Sequence, residues 1–220
     1  MHEKKDVSLL DKKFPISREK IRNHFTYSWW IYALILIFAI FGWNLLYTTT
    51  RYQSPDYLKV EFYYTGARMD APSDIYELME QLHQEQFPDM EVVEYLELAL
   101  NDDYYGGMTV TLKTMNGEGD VYLMENQYFQ EYGLSVMTDL TPYVESGAIN
   151  VEGLDISSGY MTDPETGKTT LCGIPASHLK GFEEYGITVD NYYLCVPLLN
   201  GNTEKAVQLI NWFLAEMAAE

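Results

Sequence analysis

The sequence predicts one transmembrane helix followed by a single α/β domain, whose mostly parallel sheet carries helices on both faces. Two observations lead there. Between Arg22 and Arg51 no residue carries a formal charge, and Trp29 to Tyr47 reads WWIYALILIFAIFGWNLLY. Beyond residue 57, short runs rich in Val, Phe and Tyr alternate with segments whose apolar residues recur at helical spacing. Charge separates the two parts. The 220-residue chain carries a net −19, yet residues 1–27 hold seven basic side chains against four acidic ones, which leaves −22 on the remainder.

About 20 apolar residues let a helix cross a hydrocarbon core of ~30 Å. Trp29, Trp30 and Tyr32 at one end, with Trp43 and Tyr47 at the other, match the aromatic belts of the membrane interfaces. A cleavable signal peptide is the main rival, but Gly42-Trp43-Asn44-Leu45 offers no small-x-small site. No cysteine follows the apolar run to take a lipid. Residues 28–48 therefore read as an uncleaved signal anchor in the cell membrane. The basic leader 1–27 stays in the cytoplasm by the positive-inside rule, 49–57 is a polar tether, and the domain over 58–220 is extracellular. Its acidity excludes nucleic acid and anionic lipid as partners.

The domain's elements follow in order. LKVEFYYTG reads as a strand ending at Gly66. Pro72 with Ser73 or Asp74 starts a helix bearing Ile75, Leu78, Met79 and Leu82 at helical spacing, which Pro88 ends. MEVVEYLEL is the second strand. The stretch from Asp102 to Asp120 is ambiguous: Met108, Leu112 and Met115 fit a helical face, while Gly106 and Gly107 weaken it. VYLM (121–124) is a wholly apolar run of the kind buried in parallel sheets, and ENQYFQEYG is a helix turning off it. GYMTDPETGKTTLCGIP reads as a hairpin about DPETGK. The last helix starts at Asn202 or Thr203, with Val207, Ile210, Leu214 and Met217 as its stripe and Ala206, Leu209 and Phe213 widening it.

This succession, with GEGDVYLMENQYFQEY, LTPYVESG, TGKTTLCGIP and YLCVPLLNGNTEKAVQLINWFLAE in that order, resembles the first lobe of the extracellular solute-binding proteins of ABC importers. The resemblance spans most of 58–218 and implies a single periplasmic-binding-protein-like lobe. That family inserts a whole second lobe between the GIP segment and the return strand; here about 20 residues, ASHLKGFEEYGITVDN with its flanks, fill the gap. The resemblance implies a non-enzymatic binding or docking module that assists a transporter or envelope complex. The alternative it leaves is a receptor for a sugar or peptide, possibly as a dimer.

Open parallel sheets bind ligands at the carboxyl ends of their strands. The residues there are Tyr64, Thr65, Gly66 and Ala67 after the first strand and Glu125, Asn126 and Gln127 after the third, with Tyr104 and Tyr105 nearby. Tyrosines on such a rim suit sugar stacking or a protein contact; ordinary surface tyrosines are the alternative. The only cysteines, Cys172 and Cys195, flank the short link. If their segments are neighbours, a disulfide would staple the closure; otherwise they are two buried free thiols.

Known catalytic patterns are missing. DPETGKTT lacks the first glycine of a phosphate loop, because position 162 is Thr. His83 and His178 have no partners at metal-ligand spacing, so neither a metal nor a cofactor is implied. Asp102-Asp103 and Glu183-Glu184 are adjacent pairs, and no G-x-S-x-G occurs.

Overall fold

The computed structural model describes residues 18–52, 54–98 and 104–218; most of the basic leader and the Asp102-Asp103 pair lie outside these residues. The chain divides after residue 53 into two units. The first is helix α1 (Arg18–Thr50). Its stretch Arg22–Thr50, 29 residues, is long and apolar enough to cross a membrane, and none of it is buried within the protein. Thr48, Thr49 and Thr50 donate their hydroxyls to the carbonyls of Asn44, Leu45 and Leu46 one turn back, so the polar end of the helix satisfies its own hydroxyls.

The second unit is a mixed α/β domain with a mostly parallel central sheet. Strand β1 (Lys59–Tyr64), helix α2 (Ile75–Gln86), β2 (Val92–Glu97), α3 (Tyr104–Met115), β3 (Val121–Glu125) and α4 (Asn126–Val136) alternate as expected. There follow the short α5 (Thr141–Glu145), the hairpin β4 (Tyr160–Thr162) and β5 (Thr169–Leu171), then β6 (Ile174–Pro175), β7 (Tyr192–Cys195) and α6 (Thr203–Glu216). The five-stranded sheet runs β2-β1-β3-β7-β6; β1 is parallel to both β2 and β3, and β7 is antiparallel to β3 and β6. The β4–β5 hairpin forms a separate small sheet, turned about Asp163, whose carboxylate accepts the Glu165 N–H and the Thr166 hydroxyl.

Each face of the sheet has its own core. On one face Val60, Phe62 and Leu123 pack with Leu78 and Leu82 of α2 and with Leu209, Ile210 and Phe213 of α6. On the other, Tyr63, Tyr122 and Met124 pack with Val110 of α3 and Phe129 and Val136 of α4. Alternation along β1 and β3 supplies both layers, since successive strand side chains point to opposite faces.

Asp74 caps α2 by accepting the Tyr76 N–H. The ambiguous stretch is helical from Tyr104, but its apolar residues point outward: Met108, Leu112 and Met115 are exposed while Gly106, Gly107, Val110 and Thr114 are buried. The glycines that weakened the helix reading serve packing instead. A Cβ on Gly107 would lie 2.3 Å from the Tyr132 hydroxyl, so the small residue lets α3 close on α4. In α6 the buried face is Ala206, Leu209, Ile210, Trp212 and Phe213, with Met217 buried just past its end and Val207 and Leu214 only half-buried. The helix is rotated from the expected stripe because the Phe213 ring packs 4.7 Å from that of Phe62 in β1.

The link between β6 and β7 is no plain hairpin. It holds a 3-10 turn (Lys180–Tyr185) and sends Leu179, Phe182, Ile187 and Val189 into the core. Gly186 ends that turn at φ +74°, and its carbonyl accepts the Met69 N–H. A Cβ there would lie 2.1 Å from the Met69 carbonyl oxygen. Gly186→Ala therefore combines left-handed strain with a backbone clash, and should destabilise the domain by at least ~2 kcal/mol in a urea titration. A midpoint unchanged from wild type would show that the link moves without cost.

Candidate functional site

The carboxyl ends of β1 and β3, where the strand order turns in opposite directions, form the place expected for a ligand. Its residues are brought together, but against one another. Tyr64 and Thr65 are each 1% exposed. The Thr65 hydroxyl accepts the Glu125 N–H at 2.9 Å and donates to the Leu123 carbonyl at 3.3 Å, lacing the two strand ends. The Tyr64 hydroxyl accepts the Thr188 N–H of the link at 3.3 Å, and its ring lies 5.3 Å from that of Tyr192. Gly66 fits beneath these two rings: a Cβ would come within 2.5 Å of the Tyr64 hydroxyl and 2.7 Å of the Tyr192 hydroxyl. Burial first, then the bond to Tyr64, pushes the Tyr192 phenol well above its ordinary value, so that phenol stays neutral.

Asn126, half-buried, donates its N–H to the carbonyl of Asn191, a link residue held at φ 64°. Asparagine tolerates that left-handed conformation better than most residues. The backbone of Tyr104 and Tyr105 begins α3 beyond the carboxyl end of β2; their side chains lie outside the described ones. The crevice is thus plugged by the protein's own tyrosines and by the link.

The opposite pole, at the amino ends of β1 and β3, carries an open cleft of about 470 Å³. Lys59, Glu61, Glu118, Asp120, Asn200 and Asn202 line it. Asp120, only 4% exposed, accepts the Glu61 N–H at 2.8 Å and the Asn200 side-chain amide at 3.1 Å. Glu61 accepts the Gly119 N–H at 3.1 Å and lies 4.0 Å from the Lys59 ammonium. Burial holds both carboxyls above their ordinary range, against the hydrogen bonds that lower them. Glu118 goes the other way, lowered chiefly by its 2.6 Å bond from Lys113. The acids' bonds go to backbone, amides and lysines, an arrangement that fastens the loops at this pole to the sheet. Among the described residues, no group of three or more His, Cys, Asp or Glu side chains is placed to hold a metal ion.

Sequence reasoning passed over this pole. One signal was present: Asp120, a charged residue directly before a wholly buried apolar strand, between two glycines and VYLM. Asn200 and Asn202, far along the chain, gave none.

The two cysteine-bearing segments are neighbours, as β6 pairs antiparallel with β7, but both thiols are free and buried. This departs from the expected staple. Register places Ile174 opposite Leu194, which sets Gly173 rather than Cys172 beside Cys195, and a Cβ on Gly173 would lie 2.8 Å from the Cys195 sulfur. Burial raises both thiol pKa values, so the protonated, unreactive form is favoured.

Fold and site together define a mixed α/β domain that follows one apolar helix. No family model and no curated protein matches the chain.

Proposed function

We propose that this protein is a membrane-anchored extracellular docking module without enzymatic activity. It is built like one lobe of an ABC-importer solute-binding protein, with link 176–191 in place of the second lobe, and it assists a transporter or envelope complex. The observation that carries this reading is the plugged crevice: Tyr64, Thr65 and Gly66 are used up in internal contacts, so a sugar or peptide has no room at those strand ends. A surface for protein contact remains on α3, where Met108, Leu112 and Met115 expose an apolar stripe.

Photo-crosslinking from Met108 and Leu112 in intact membranes should give one specific protein adduct. Recovery of no specific adduct, together with tight binding of a sugar or peptide by the monomer, would overturn the docking reading. The anchor is tested separately. A reporter active only outside the membrane, fused after Glu220, should be active, and the mature chain should retain residues 1–47; an N-terminus near residue 45 would mean cleavage. The second reading, a small-solute receptor, draws on the amino-end cleft, whose volume falls in the ~300–1,000 Å³ range of ligand pockets. A thermal-shift screen with sugars and peptides distinguishes it, because a ligand of the native state raises its stability.

A further inference from the structure

The two edges of the central sheet differ. The β6 edge is two residues long and ends in Pro175, which has no N–H to offer, so it is closed to further pairing. The β2 edge is six residues long, contains neither Pro nor Gly, and pairs with β1 along its whole length. Among the described residues β2 has no strand on its other side. The Glu91 N–H donates to the Leu58 carbonyl, so by alternation the N–H groups of Val93 and Tyr95 turn toward β1. Those of Val92, Glu94 and Leu96 turn to the open side.

Charge decides what this edge accepts. From Asp89 to Leu98 there are four acidic residues, Asp89, Glu91, Glu94 and Glu97, and no basic one. Glu97 accepts the backbone N–H of Arg68, whose guanidinium lies 4.0 Å from Asp74 instead. Glu94 stands directly opposite Glu61 in the register, a like-charge pair that Lys59 reaches only from the Glu61 side, 4.0 Å away, and that a cation on the open side would relieve further. A second copy docking edge to edge would bring its own acids against these and be repelled.

We infer that the β2 edge receives an extended, positively charged segment of a partner protein by strand addition. Main-chain hydrogen bonds from Val92, Glu94 and Leu96 supply the affinity, and basic side chains beside Glu94 and Glu97 supply the selection. Glu94 and Glu97 are on opposite faces of the strand, so the segment carries basic residues three positions apart. The inference deepens the docking reading and rests on it for the existence of a partner.

The probe is a capped synthetic peptide with lysine at every third position and Val or Thr between, titrated against the full chain in phosphatidylcholine nanodiscs. Its control is the same peptide N-methylated at alternate amides, equal in charge but unable to pair. The unmodified peptide should bind about tenfold more tightly than the control, or ~1.4 kcal/mol. Glu94→Pro, which removes an outward N–H at an edge where proline is tolerated, should lose a similar factor. Glu97→Lys, which leaves the backbone intact, should weaken binding even if the proline variant does not fold. Equal binding of both peptides, no binding of either, or self-association abolished by Glu97→Lys would each overturn the inference. If the peptide fails while crosslinking from α3 still finds a partner, the edge is wrong and the docking reading stands.

Discussion

Phe182→Ala should cost about 3–5 kcal/mol of stability, the usual range for emptying a buried aromatic site. For a domain of this size that lowers the Tm by roughly 6–20 °C. Phe182 is fully buried; its ring stacks on Phe62 at 5.7 Å and meets Phe213 edge-on at 5.0 Å. It therefore ties the short link to strand β1 and the last helix at once. Leu179, Ile187 and Val189 of the same link are buried in the same core, so the truncation would leave a cavity among packed side chains. The comparison is Lys180→Ala in the same turn. Lys180 reaches Glu183 and Asp190 at 2.8 Å each, but these are solvent-screened surface ion pairs that add little to stability. Thermal melts in which Phe182→Ala falls no further than Lys180→Ala would reduce the link to a surface loop.

At the other pole, Asp120→Ala should cost about 2–5 kcal/mol, because it strands two buried donors, the Glu61 N–H and the Asn200 amide. The loop from Asn200 to Asn202 also loses one of its anchors, keeping the bonds from the Asn200 and Asn202 amides to the carbonyls of Gly119 and Asp56. Asp120→Asn separates charge from shape. It keeps one acceptor and removes the buried carboxylate, so it should cost less than alanine and respond differently to pH. Burial raises the folded-state pKa of Asp120 above its ordinary 3.8, so the folded chain holds that proton to a higher pH than the unfolded chain does. In the window above 3.8 the native state binds more protons, and this contribution to stability falls as pH rises. Glu61, also raised by burial, acts in the same direction. The gap between wild type and Asp120→Asn should therefore narrow from about pH 4 toward neutrality, measured by denaturant titration across that range. A gap that widens would mean that Asp120 is stabilised as the anion, with its hydrogen bonds outweighing its burial.

Much of the fold was legible because its signals are local. The uncharged run after Arg22 becomes α1 by length and composition alone. The Val, Phe and Tyr runs become β1, β2 and β3, since alternating or wholly apolar residues have no other low-energy arrangement on a pleated surface. Asp74 and Pro88 bound α2 through the backbone groups nearest them. The neighbourhood of the two cysteine-bearing segments was also legible, from the little chain between them.

What the tertiary structure alone decided concerns side chains far apart in the sequence. Tyr64 looked like a rim tyrosine until its hydroxyl met Thr188, 124 residues away, and the expected ligand crevice became part of the core. The cleft at the opposite pole depends on Asp120 meeting Asn200 across 80 residues. Periodicity marked an apolar face on α3, yet which face turned inward was set by Gly107 beneath Tyr132. Free thiols replaced a disulfide because one step of register put Gly173, rather than Cys172, beside Cys195. Periodicity and turn chemistry act over a few residues, and they settle the elements; register and the contacts between elements depend on how whole strands and helices fit together, so they emerge only when the layers pack.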